Sequence, residues 1–224
     1  KQTMLFIQCC AVENLVAGIK NTAPPFVSSP PLLENIKSFV AVVLLSCKLS
    51  AYKKDLVPGD HVMAILTSLP RSYVPDNLVG DLYAYKVIKA DIQEELTQAR
   101  ARIKKAIKES LALPVNESDS IFDLATTIVT NSKSLVTVPL CARIALLRKV
   151  YVEFPGGNFW DKVNARLLLI RTMAGGENWK ITKAFESILQ ADHTSYGDNA
   201  SYTLPDITAN VFQNSIDDVI AGTH

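Results

Sequence analysis

A chain of 224 residues, 48% apolar and 20% charged with a formal charge of +1, can bury a large core and is too apolar to be a disordered polypeptide. Its charged fraction falls below the roughly 25% of an ordinary soluble domain, so either the interior is generous or a partner or second copy covers apolar surface. The most apolar run, residues 39–45, lies between Lys37 and Lys48 and is far shorter than the roughly 20 residues that cross a bilayer, which excludes a membrane span here.

The chain begins at Lys1 rather than Met and is expected to be a piece of a longer protein. Apolar residues recur every three or four positions almost throughout and nowhere alternate long enough for a strand. The spacing predicts an all-α fold, a compact multi-helix bundle of about eight or nine helices with two Pro/Gly-rich connectors. A first helix is expected over residues 3–20, then the connector NTAPPFVSSPP over 21–31. A second helix follows over 31–52. Leu33, Ile36, Val40, Val43, Leu44 and Cys47 line one side, and Phe39, Val42, Leu45 and Leu49 cover much of the rest, so it reads as the central buried helix. Residues 59–68 form a short helix stopped by Pro70. Asp76 caps the next, which runs to Leu113 with a kink near Lys89, where Asp91 and Glu94 make an acidic capping pair. The polar stretch 114–120 divides an N-terminal helical half, 1–113, from a C-terminal half, 120–224, the two expected to pack as one unit. Helices are expected over 120–131, 138–153, 158–174, 178–193 and 206–221. The breaks are Pro155-Gly156-Gly157, Gly175-Gly176 and residues 197–205.

Charge is distributed unevenly along these elements. Through QARARIKKAIKES, residues 98–110, and the turns before it, Ile92, Leu96, Ala99, Ile103, Ala106, Ile107 and Ser110 form one helical stripe. Arg100, Lys104 and Lys108 climb one flank, and Arg102 with Lys105 takes the other. Asp91, Glu94 and Glu95 stand early and Lys108 late, an order that suits the helix dipole and reads as a solvated face. The imbalance that persists lies in residues 133–183, nine basic against three acidic, followed by 184–224 with six acids and no Lys or Arg. Arg143, Arg148, Lys149, Lys162, Arg166, Lys180 and Lys183, with Arg171, could contact a nucleic acid or an acidic partner if their flanks were coplanar. The acidic helix over 206–221 could instead neutralise this band, or mask it until displaced.

Within the band, FWDKVNARLLLIRTMAGGENWKITKAFESIL sets two helices across Gly175-Gly176, a helical hairpin or the pair of a helix-turn-helix unit. Trp160 and Trp179 have 18 residues between them, and over about 35 residues this spacing resembles Myb-like domains. The resemblance implies tryptophans holding a three-helix core. The chain departs from that pattern where only Asp161 follows Trp160, where Tyr196 comes early for a third aromatic, and where Glu186 and Asp192 replace base-contacting residues. The runs RIALLRKVYVEF, FWDKV and FESILQADHTSYG resemble segments of uncharacterised fungal helical proteins, a likeness that implies no activity.

No catalytic pattern accompanies these helices. Cys9 and Cys10 are neighbours, while Cys47 and Cys141 stand alone at spacings that fit no zinc site, so reduced thiols in an intracellular protein, cytoplasmic or nuclear, are expected. The sequons at Asn116 and Asn199 point the other way. Asp60-His61 and Asp192-His193 are adjacent pairs that face different directions on a helix, and His224 ends the chain. GxSxG, HExxH, GxGxxG and GxxxxGK[ST] are all absent. The reading is a non-catalytic binding domain that needs no cofactor or metal and takes a protein partner or a second copy of itself. Nucleic-acid binding through residues 133–183 is the alternative, and an enzyme assembled from distant residues the third.

Overall fold

The computed structural model describes residues 8, 10–13, 25–53, 57–68, 73–78, 80–112, 119–130, 132–197 and 211–222. The protein is all-α: among the described residues there is no strand. Eight helices follow in order, α1 (Pro30–Leu45), α2 (Val57–Ser68), α3 (Leu82–Ser110), α4 (Ile121–Val129), α5 (Val138–Glu153), α6 (Phe159–Ala174), α7 (Asn178–Tyr196) and α8 (Val211–Gly222). Residues 8 and 10–13 are also helical, inside the first helix expected over 3–20; the rest of that helix lies outside the described residues, as does the start of the one expected over 206–221.

Local chemistry sets most boundaries. Ser29 caps α1 by accepting from the Leu32 N–H, with Pro30 and Pro31 in the first turn, where a missing N–H does no harm. Thr137 and Pro139 repeat the arrangement at α5. Gly175 stops α6 with φ at 60°, its N–H bonding the Arg171 and Thr172 carbonyls.

Two expected boundaries move. Residues 76–78 form a turn in which the Asn77 carbonyl accepts from the N–H groups of Gly80 and Asp81, so the capping role passes from Asp76 to Asp81, whose carboxylate takes the Tyr83 and Ala84 N–H groups. From there α3 runs 29 residues with no break at Lys89, about 44 Å at 1.5 Å per residue. Asp91 receives the Ser28 hydroxyl instead of capping a second segment. The other change is at α1, which ends at Leu45 rather than near Tyr52. Residues 46–53 leave the helix although Leu49 and Tyr52 remain fully buried.

Burial explains the packing. α1 packs on α2, α3 and α8, while α5 packs on α3, α4, α6 and α7, so α3 belongs to both groups. α5, rather than α1, is the most enclosed helix, with ten of its sixteen residues buried against eight of sixteen in α1. One apolar cluster runs from Leu32 to Ile220 and takes fully buried residues from every helix except α7. From α7 it gains only the half-buried Phe185, Ile188 and Leu189, so that helix keeps an incompletely covered apolar face. None of the described helices is long and apolar enough to cross a membrane.

Candidate functional site

The segment 46–53 that leaves α1 turns its carbonyls toward arginines. Arg143 of α5 donates through Nη2 to the carbonyls of Cys47 and Leu49, the latter at 3.1 Å. Arg171 of α6 donates to Ser50 O at 2.9 Å and to the same Leu49 oxygen at 3.0 Å. Arg100 of α3 reaches Tyr52 O at 2.9 Å, and Asn164 of α6 accepts the Tyr52 N–H at 2.8 Å. Carbonyls that lost their helical partners are thereby satisfied by charged donors, which make stronger hydrogen bonds than neutral ones.

Two of these guanidinium groups meet on one oxygen without a carboxylate between them. Arg143 is 1% exposed, and its Nε and Nη1 find no hydrogen-bond partner among the described residues. Among the described residues neither Arg143 nor Arg171 forms an ion pair within 4.0 Å. The Phe185 ring lies 5.2 Å from the Arg143 guanidinium and the Tyr52 ring 6.0 Å, so π faces offset part of its desolvation. Burial lowers the pKa of Arg171, and Arg143 beside it lowers it further.

Both arginines line a cavity of about 830 Å³ between α5, α6, α7 and one edge of α8. Its walls are aliphatic and aromatic, with Val138 from α5, Leu167 and Ile170 from α6, and Ile181, Phe185 and Leu189 from α7. The half-covered face of α7 is therefore the wall of this space. Asn178, Thr182 and Asn214 add amide and hydroxyl groups. Pockets that hold small ligands span roughly 300–1,000 Å³ and combine apolar walls with a few polar groups, a description that fits.

Asp217 of α8 stands at the same cavity but is already engaged. It accepts from Ser46 Oγ at 2.6 Å and Gln213 Nε2 at 2.8 Å, and from the Cys47 thiol at 3.6 Å. Burial raises the Cys47 pKa, the Asp217 carboxylate adds to this, and Arg143 and Lys48 oppose it. Cys141 on α5 is pushed up to about 12 by burial and then by Asp192. Both thiols are thereby held in the protonated form at neutral pH, so neither is poised as a nucleophile at this cavity. Among the described residues, no group of three His, Cys, Asp or Glu side chains could hold a metal ion.

No protein-family model, curated protein or solved structure matches this chain. Its chemistry is therefore read from its own side chains.

Two of the basic-band candidates, Arg143 and Arg148, are buried and so belong to no exposed face. Arg148 is fully buried, its Nε donating to Asp192 Oδ2 at 2.8 Å, its Nη2 pairing with Oδ1, and its Nη1 reaching Asp119 O at 2.7 Å. Arg166 pairs with Glu153 at 2.7 Å, and Lys180 with Glu177 at 2.5 Å. Lys162 sits 4.9 Å over the Phe154 ring. Lys149 and Lys183 are exposed and form no ion pair with another described residue. Only Arg143 among these candidates lines the cavity, joined there by Arg171. The acidic helix α8 lies against α1 and α2, presenting only the edge with Asn214, Asp217 and Asp218 to the cavity. Trp160 stacks on Tyr52 at 5.1 Å, whereas Trp179 is 60% exposed, so the two tryptophans share no common core.

Residues 46–50 and the α7 face escaped the sequence reading as a site, and Arg171 entered it only as one cation of the basic band. A faint signal was present: Ile181, Phe185 and Leu189 keep a clean apolar spacing on a helix whose other residues are mostly polar.

Proposed function

We propose that the protein is a non-catalytic binding domain that takes a segment of a protein partner into the cavity walled by α5, α6 and α7. The supporting observation is the α7 face: Ile181, Phe185 and Leu189 stand half-buried over about 830 Å³ of space where a bundle helix would ordinarily be covered. Apolar anchor side chains of a partner would complete that burial, each worth about 1.5–3 kcal/mol when fully removed from water. Leu168, Leu169 and Met173 on the outer side of α6 are exposed as well, apolar surface apart from the cavity lining.

The reading is tested by panning a random-peptide display library on the chain, with Thr182→Trp as the counter-selection. Thr182 is exposed on the cavity wall, so the indole fills the space without entering the core. Peptides enriched on the unmodified chain and lost on the variant support the assignment. Enrichment that survives T182W moves the binding surface elsewhere.

A further inference from the structure

The cavity carries a polar end that apolar anchors alone do not explain. Arg143 and Arg171 converge on the Leu49 carbonyl, and two Arg143 nitrogens have no acceptor among the described residues although the side chain is buried. Unpartnered buried donors are uncommon and destabilising, and two like charges meeting on one oxygen repel. An anion placed between the two guanidinium groups relieves both conditions. We propose that this end of the cavity receives the free carboxyl terminus of the partner polypeptide, an inference that rests on the binding function proposed above.

The charge of the lining selects the anion. Lys48, Arg143 and Arg171 share the cavity with Glu186, Asp217 and Asp218, so a phosphate dianion or a nucleic-acid backbone would meet three carboxylates without a net positive charge to offset them, whereas one carboxylate fits against the two guanidinium groups at one end. A carboxylate is a planar monoanion that a guanidinium binds through two parallel N–H groups. Asn178, Thr182 and Asn214 give the main chain of a peptide its hydrogen-bonding partners, which a bare acyl chain could not use. Phe185 lies 5.2 Å from the Arg143 guanidinium, which is 1% exposed, so the carboxylate bonds first to the more accessible Arg171.

The test uses a heptapeptide library displayed with free C-termini, and the enriched peptides resynthesised as the acid and as the C-terminal amide. The acid is expected to bind at least about tenfold tighter than the amide, by calorimetry on the unmodified chain. Arg171→Gln should erase that difference while leaving amide binding in place, and Arg171→Lys should restore part of it. T182W should abolish both, with thermal melts checking that each variant folds. Equal affinity of acid and amide overturns the carboxylate inference and leaves the binding domain standing. Failure of any peptide to enrich over T182W overturns both. Dodecanoate binding tighter than every peptide acid, or a C-terminal phosphate ester binding tighter than the carboxylate, also overturns it.

Discussion

Replacing Asp192 with Ala probes the most deeply buried ion pair among the described residues. Arg148 is 0% exposed and the Asp192 side chain 5%, and the pair joins the centre of α5 to the last turns of α7 through a two-pronged contact. The Asp119 carbonyl and the Tyr196 ring, 4.2 Å from the guanidinium, are its other supports. Asp192→Ala leaves the cation in place with those two neutral contacts alone. Breaking one side of such a pair removes about 3–5 kcal/mol, because the remaining charge stays desolvated. For a chain of this size that is roughly 6–20 °C in Tm. Replacing both partners, Arg148→Met with Asp192→Leu, removes the stranded charge and should recover most of the loss. Urea melts of Asp192→Ala, Asp192→Leu, Arg148→Met and the double variant, compared at constant slope, give the four free energies. A loss below about 1 kcal/mol for Asp192→Ala, or a double variant as unstable as the single, would show that the charge is hydrated or relocated and refute the reasoning.

Gly175→Ala should lower stability by about 1 kcal/mol in the same urea melts: the added methyl meets no atom within 4 Å, so the cost is that of φ at 60° alone. Cys141 should resist alkylation in the folded chain at pH 8 while reacting in urea, since its thiol pKa is pushed to about 12. With its folded pKa raised, this thiol contributes stability that is full below its ordinary 9.0 and is lost as pH rises toward about 12. Cys141→Ala should accordingly flatten the alkaline limb of a stability profile between those values. Removing residues 198–224 should produce no salt-dependent gain in DNA or RNA binding, because Arg148, Arg166 and Lys180 are neutralised by Asp192, Glu153 and Glu177 rather than by that tail. Filter binding at two salt concentrations measures it, and a steep gain at low salt would restore the nucleic-acid reading.

Helical periodicity located α5, α6 and α7 closely because their ends are chemical: Thr137 with Pro139 opens one, and Gly175 closes another through a backbone angle that side chains avoid. The end of α1 was not legible in the same way. Leu49 and Tyr52 continue the apolar spacing and are buried in the structure too, so the pattern cannot distinguish a helix from a packed turn. The deciding contacts come from Arg100, Arg143 and Arg171, 48 to 122 residues further along the chain. Arg143 and Arg148 looked like surface cations for a related reason. On a helix enclosed nearly all round, no empty flank remains, and what tolerates a guanidinium there is Asp192 for one and a row of carbonyls for the other.

The departure of residues 46–53 from α1 bears on the order in which this molecule is made. Their carbonyls are gripped by side chains from α3, α5 and α6, none of which is near in sequence, so the bend has no support until those helices have docked. A peptide covering residues 30–53 alone lacks these donors and should not hold the bend. The corner is thus a late arrival, imposed on α1 by helices made long after it, and the shape of the cavity's arginine-lined end is inherited from the finished assembly.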